Sequence, residues 1–268
     1  MIEQQFGIEI LPTWHETPDS SPEVYASEVR VELGRILRSN AGKILAKALK
    51  FHGKTVLIMP YEGQDCNAQE DAVTAGSDQS VVLYSPQNLH RSACARVKRE
   101  ERNATLPHEI LFHELVHALR RVSKKMHKWP LKGRLSSYTH SEEFLAILVT
   151  NIFISDVSNP SKTGLRASHQ GHGALEKELA ESFFYFRNGT KAFNLIETFC
   201  EENRGFTKML AGVKARFNPV AAFYQNRQKA FEMAASGDAD ATFQSLIPMD
   251  YYQKPSGAWT RIGAFPKP

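Results

Sequence analysis

The sequence predicts an α+β fold, mostly helical, with a small sheet beside the helix that carries an HExxH motif. Two observations predict it. Apolar residues recur at helical spacing through most of the chain, and between them lie two short runs rich in β-branched residues, Thr55 to Met59 and Ser80 to Tyr84. The 268 residues are 42% hydrophobic and 23% charged, which supports one sizeable core. A single domain is therefore expected over residues 22–250, between an N-terminal arm (1–21) and a C-terminal tail (251–268).

The arm contains Pro12 and Pro18 and one apolar stretch, Phe6 to Leu11, which reads as an extended arm or an edge strand. From Pro22 to Phe51, apolar residues such as Val29, Leu33, Ile36, Leu45 and Leu49 predict two consecutive helices broken at Ser39-Asn40. The two strands follow, separated by the polar segment Tyr61 to Gln79. Residues 106–122 (LPHEILFHELVHALRRV) then predict a helix, with Pro107 in the first turn, Glu109 near the positive end and Arg120, Arg121, Lys124 and Lys125 near the negative end. Pro130, Gly133 and Ser136-Ser137 make 126–140 a loop. Ser141 is expected to cap a second, strongly apolar helix, EEFLAILVTNIFISD. Beyond residue 173 the pattern is helical again over 174–186, 192–217 and 219–235. The aromatic run Phe183 to Phe186 reads as core, and the tail as loosely ordered or wrapped around the domain.

Within the 106–122 helix, His113 and His117 stand four residues apart and so share one face, where both imidazoles can hold one tetrahedral metal. Glu114, one step round, is placed to act as general base on a water at that metal. The apolar residues nearly encircle this helix, so the three polar groups are expected to be buried, and zinc would satisfy all three together. The competing reading is a pair of hydrogen-bonded core histidines. His108-Glu109 upstream has Phe112 where a second histidine would stand, and reads as a capping or surface pair.

A catalytic zinc needs a third protein ligand. Arg120 and Ser123 stand where an extended metzincin motif needs Gly and His, which excludes that class. The search therefore moves to the next helix, where Glu143 is the preferred ligand. Glu142 is its neighbour, as an outer-shell or solvent carboxylate, and His140 and Asp156 are substitutes. For the oxyanion of a tetrahedral intermediate, Arg166 and His169 in the Gly-punctuated loop are the leading candidates, with Tyr138 and His172 competing. Asn151 interrupts the apolar second helix, either to bond a ligand histidine or to cap a kink.

The segments HELVHALR, SEEFLAILVTNIFIS and GLRASHQGHGAL, spanning roughly residues 106 to 175, resemble the NleD-like zinc metallopeptidase effectors and related toxin domains that Gram-negative bacteria inject through specialised secretion systems. The resemblance implies a zincin-like endopeptidase with His113, His117 and Glu143 on zinc and Glu114 as base. It further implies a protein substrate in a target cell, and a secretion-apparatus component or an immunity protein as partner. In zincins an edge strand lies along the cleft and pairs with an extended substrate; Ser80 to Tyr84 is the expected one.

The net charge of +4 is mild, and the cluster Arg96 to Arg102 includes two acids, so a nucleic-acid partner is not expected. Lys124, Lys125, Lys128, Lys132 and Arg134 form a basic patch that would steer an acidic substrate. Three widely spaced cysteines, Cys66, Cys94 and Cys200, indicate neither a disulfide framework nor a structural zinc site. The N-terminus has no Sec-type signal and no apolar run spans a membrane, so cytoplasmic synthesis followed by signal-less export is expected. The alternative to an enzyme is an interaction module on the same scaffold, with a basic face for an acidic partner.

Overall fold

The computed structural model describes residues 2–12, 21–62, 68–74, 76–90, 106–161, 163–166, 191–225, 251–253 and 259–261. The architecture is mixed α+β. A helical turn α1 (Glu3–Phe6) leads through Gly7 into strand β1 (Ile8–Ile10). Gly7 takes φ 68°, a conformation that a side chain would strain. Helix α2 (Pro22–Ile36) begins where the Ser21 side chain accepts from Val24 N–H at 3.4 Å, and α3 (Asn40–Phe51) where Ser39 Oγ accepts from Gly42 N–H at 2.8 Å. The corner between them is tight. A Cβ on Gly42 would stand 2.0 Å from the Ile36 carbonyl oxygen, so only glycine lets the chain reverse there.

The four-stranded sheet runs β1, β2 (Val56–Met59), β4 (Ser80–Leu83), β3 (Gln69–Ala72). β1 and β4 flank β2 in parallel, with Ile8 opposite Val56 and Val56 opposite Ser80, while β3 pairs antiparallel with β4, Glu70 opposite Val82. The stretch Phe6 to Leu11 thus supplies one edge of the sheet. β3 supplies the other, from within the segment expected to be a polar connection. Ser80 to Tyr84, expected at the edge, is interior: β4 has a neighbour on each side and no free main chain for a substrate. β-branched composition marks a strand that packs well, which favours the centre of a sheet over its rim.

After the short helix α4 (Pro86–His90), the long helix α5 (Pro107–Val122) crosses the middle of the molecule. It packs on α2, α3, both β3 and β4, and α6 (Ser141–Ser155). Leu111, Phe112, Leu115, Val116, Ala118, Leu119 and Val122 are all buried, and Phe112 stacks on Phe153 of α6 at 4.1 Å. Between α5 and α6 the chain makes one 3-10 turn, Gly133–Leu135, and an antiparallel bridge of Pro130 with His140. His140, not Ser141, is the N-cap of α6; its Nδ1 accepts from Glu143 N–H at 3.4 Å. Ser141 instead pins the loop, donating to the His127 carbonyl and accepting from Trp129 N–H.

The stretch 192–217, expected as one helix, is two: α7 (Lys191–Glu202) and α8 (Arg204–Ala211), interrupted at Asn203. Residues 219–225 are helical, and β5 (Tyr251–Gln253) pairs antiparallel with β6 (Trp259–Arg261) in the tail. The expected helix 174–186, the aromatic run 183–186, the cluster Arg96 to Arg102, Cys66 and Cys94 lie outside the described residues. Among the described residues, no helix is long and apolar enough to cross a membrane.

Candidate metal centre

His113 and His117 sit mid-way along α5 and Glu143 in the first turn of α6, which packs across it. Their ligand atoms converge. His113 Nε2 lies 3.1 Å from His117 Nε2 and 3.2 Å from Glu143 Oε2, and His117 Nε2 lies 3.4 Å from Glu143 Oε1. A tetrahedral ion with bonds of about 2.0–2.1 Å holds its ligand atoms roughly 3.3 Å apart, and these separations lie near that value, with the two histidines facing different oxygens of Glu143. These residues form a group that can hold a metal ion. The donor set, two imidazoles and a carboxylate, suits zinc but is shared by other first-row metals.

Thr150 backs His113 from α6. Its hydroxyl donates to the Ala146 carbonyl at 2.7 Å, which leaves an oxygen lone pair facing His113 Nδ1 at 3.5 Å. A proton on Nδ1 leaves Nε2 free as a ligand. Burial pushes the His113 pKa down to about 3, with the charge of His117 adding to it against the pull of Glu143. For His117 burial acts the same way but loses to the Glu143 hydrogen bond and to the charges of Glu143, Glu114 and Glu142, so its pKa rises to about 9. Burial thus pushes His113 towards the neutral form, while the Glu143 carboxylate favours the charged form of His117.

Glu114 is 6% exposed, and burial pushes its pKa up to about 8; the Glu143 and Glu70 charges reinforce this, while those of His117 and Arg166 oppose it. Glu70 lies on β3, where it accepts from Ser80 and from both Nε and Nη2 of Arg121, bolting the edge strand to α5. Val73 N–H bonds Gln79 O within the hairpin, so alternation puts the main-chain groups of Glu70 and Ala72 on the free edge. There Asp71 Oδ1 accepts from Ala72 N–H at 2.7 Å.

The other candidates for a third ligand are placed elsewhere. Glu142 is neither an outer-shell group nor a solvent carboxylate. It is 1% exposed, accepting from Arg120 Nε at 3.0 Å and Nη2 at 2.8 Å and from His127 N–H at 2.7 Å. His140 caps α6 with Nδ1, its Nε2 3.8 Å from Glu143. Asp156, at the far end of α6, accepts from Ala41 N–H and from Ser158. Asn151 bonds neither histidine: it pairs with the main chain of Arg166, donating to its carbonyl at 2.9 Å and accepting its N–H at 2.8 Å.

Arg166 is brought to the site. Its charge acts on His113, Glu114 and Glu109, and burial, opposed by the charges of Glu114, Glu109 and Glu143, lowers its own pKa. Tyr138, buried against Phe144, lies near the same guanidinium. His169 and His172 lie outside the described residues. His108 is buried rather than on the surface, 2.8 Å from Ser161 Oγ, and Glu109 accepts from Leu106 N–H and from the Thr163 hydroxyl. In the basic patch, Lys124 is paired with Asp78 beside a cavity of about 480 Å³ at the C-terminal end of α5, which Arg121 and Met126 also line.

The class that fold and site define is a mixed α+β protein with a buried His-His-Glu cluster that can bind metal. Comparison with protein-family models, curated proteins and solved structures finds no match for this chain.

Proposed function

We propose that this chain is a zinc-dependent endopeptidase, with His113, His117 and Glu143 as the metal ligands and Glu114 as the general base. The observation that carries the reading is the convergence of two imidazole nitrogens and the Glu143 carboxylate, at 3.1 to 3.4 Å from one another, beside the buried carboxylate of Glu114. Zinc held there would supply Lewis-acid activation of a water molecule at neutral pH. Glu114 would serve as the proton carrier, accepting a proton from the attacking water and returning it to the amide nitrogen as the C–N bond breaks. Arg166, whose charge acts on Glu114 and His113, is the cation for the negative charge that develops on the carbonyl oxygen. An extended substrate would pair with β3 through the main-chain groups of Glu70 and Ala72, which face away from β4, displacing Asp71 from the Ala72 N–H.

The resemblance of residues 106 to 175 supports the wider reading of an exported effector or toxin that cleaves a protein in a target cell. The test is cleavage of a proteome-derived peptide library by the zinc-loaded protein. Wild type should cut peptides internally, and Glu114→Gln should keep zinc and fold while losing cleavage. Equal effect of wild type and Glu114→Gln on intoxicated cells would instead support an interaction module.

A further inference from the structure

The loop after α6 returns across the first turn of α5, and three separate ties hold it. Ser161 Oγ stands 2.8 Å from His108 Nε2, the Thr163 hydroxyl donates to Glu109, and Asn151 grips both main-chain polar groups of Arg166. His108 and Glu109 open the helix that bears His113, Glu114 and His117. Asn151 follows Thr150, the residue that backs His113. The loop is thus clamped between the two helices that supply the ligand cluster, and Arg166 stands where the clamp ends.

Asn151 is 1% exposed and Glu109 fully buried, each beside large apolar side chains of its own helix. Burying an amide and a carboxylate there is costly, and apolar residues would fill the space more cheaply. What these two supply that an apolar residue cannot is direction. The Asn151 amide meets both main-chain polar groups of one residue, donating to the Arg166 carbonyl and accepting its N–H, which fixes the Arg166 Cα against α6; the Thr163 bond fixes the same stretch of loop against α5.

We propose that Asn151, with Glu109 and Thr163, is a positioning residue for Arg166, setting where the guanidinium stands over the ligand cluster and so how strongly the site holds an oxyanion. This rests on the reading of Arg166 as the oxyanion partner. The test uses the cobalt(II)-substituted protein and acetohydroxamate as the probe, followed by visible absorption.

Arg166→Ala should leave the spectrum of the probe-free cobalt protein unchanged and weaken the probe about tenfold, as loss of a charged hydrogen bond does. Asn151→Ala should leave that spectrum unchanged and weaken the probe to a similar extent, and the Asn151→Ala/Arg166→Ala double variant should bind no worse than Arg166→Ala alone. Thr163→Val, on the half-buried side of the clamp, should weaken the probe in the same direction and decides the matter if Asn151→Ala fails to fold. A residue that merely stabilised the fold would not give this non-additivity. If Arg166→Ala weakens the probe while Asn151→Ala and Thr163→Val bind it as wild type does, or if the losses add in full, the positioning role is overturned and the Arg166 reading stands. If Arg166→Ala binds the probe unchanged, that reading falls and the positioning role with it. Wild type that takes up no cobalt overturns the metal site and both.

Discussion

Glu142 and Glu143 are neighbours of the same chemical type, and the structure gives them opposite consequences when each is changed to alanine. Glu142 is 1% exposed and meets the Arg120 guanidinium, 2% exposed, through two hydrogen bonds, with a third from His127 N–H. Without it, Arg120 keeps Glu202 at 3.5 Å and the face of Phe199 at 5.4 Å, too little for a charge buried that deeply. Breaking a buried pair from one side costs about 3–5 kcal/mol, which for a chain of this size lowers Tm by roughly 6–20 °C. Glu143→Ala removes the partner of His117, but that imidazole can shed its proton where Arg120 cannot, so the metal-free Tm should fall by less than in Glu142→Ala. Calorimetric melts with chelator and with added zinc separate the two. Glu142→Ala should melt early yet still gain stability from zinc, and Glu143→Ala should melt later than Glu142→Ala without metal and lose most of that gain. A Glu142→Ala protein that melts like wild type and ignores zinc would refute the assignment. Replacing both partners, Arg120→Met with Glu142→Leu, should recover much of the loss, since the cost lies in the unpaired charge.

Thr150→Val removes the oxygen behind His113 Nδ1 and should weaken zinc by about 10–100-fold in a chelator competition while the fold persists; unchanged affinity would remove Thr150 from the site. Burial raises the Glu109 pKa, so the folded state holds that proton above the unfolded value of about 4.3. The stability of wild type relative to Glu109→Gln should therefore decline as pH rises from that value through the raised folded pKa, and level off beyond it. Denaturant melts across pH 4 to 9 read the difference; a trend in wild type's favour would show that the bonds from Leu106 and Thr163 outweigh burial.

Both ligand helices are legible in the sequence because their signals are local: helical apolar spacing, a proline in the first turn, and histidines four apart. Glu143 is the ligand preferred from the sequence and the one in the cluster, but the reason it differs from Glu142 in the same turn is not local: it depends on where Arg120 reaches from another helix. A charged residue on the buried side of α5 is the clue that a carboxylate must meet it. β3 escapes because Gln69-Glu70-Asp71-Ala72 has no β-branched residue; its pairing rests on the β4 ladder and on Arg121, which is 51 positions from Glu70. Thr150 is hidden by the apolar run around it, whereas Asn151 stands out in that run but its partner, the main chain of Arg166, lies 15 positions on and is not marked in the sequence.

Zinc content by plasma mass spectrometry, after loading and gel filtration, tests the central claim most directly. Wild type should hold one zinc per chain and the His113→Ala/His117→Ala variant almost none. Wild type without stoichiometric zinc, or a variant that keeps it, would contradict the site described.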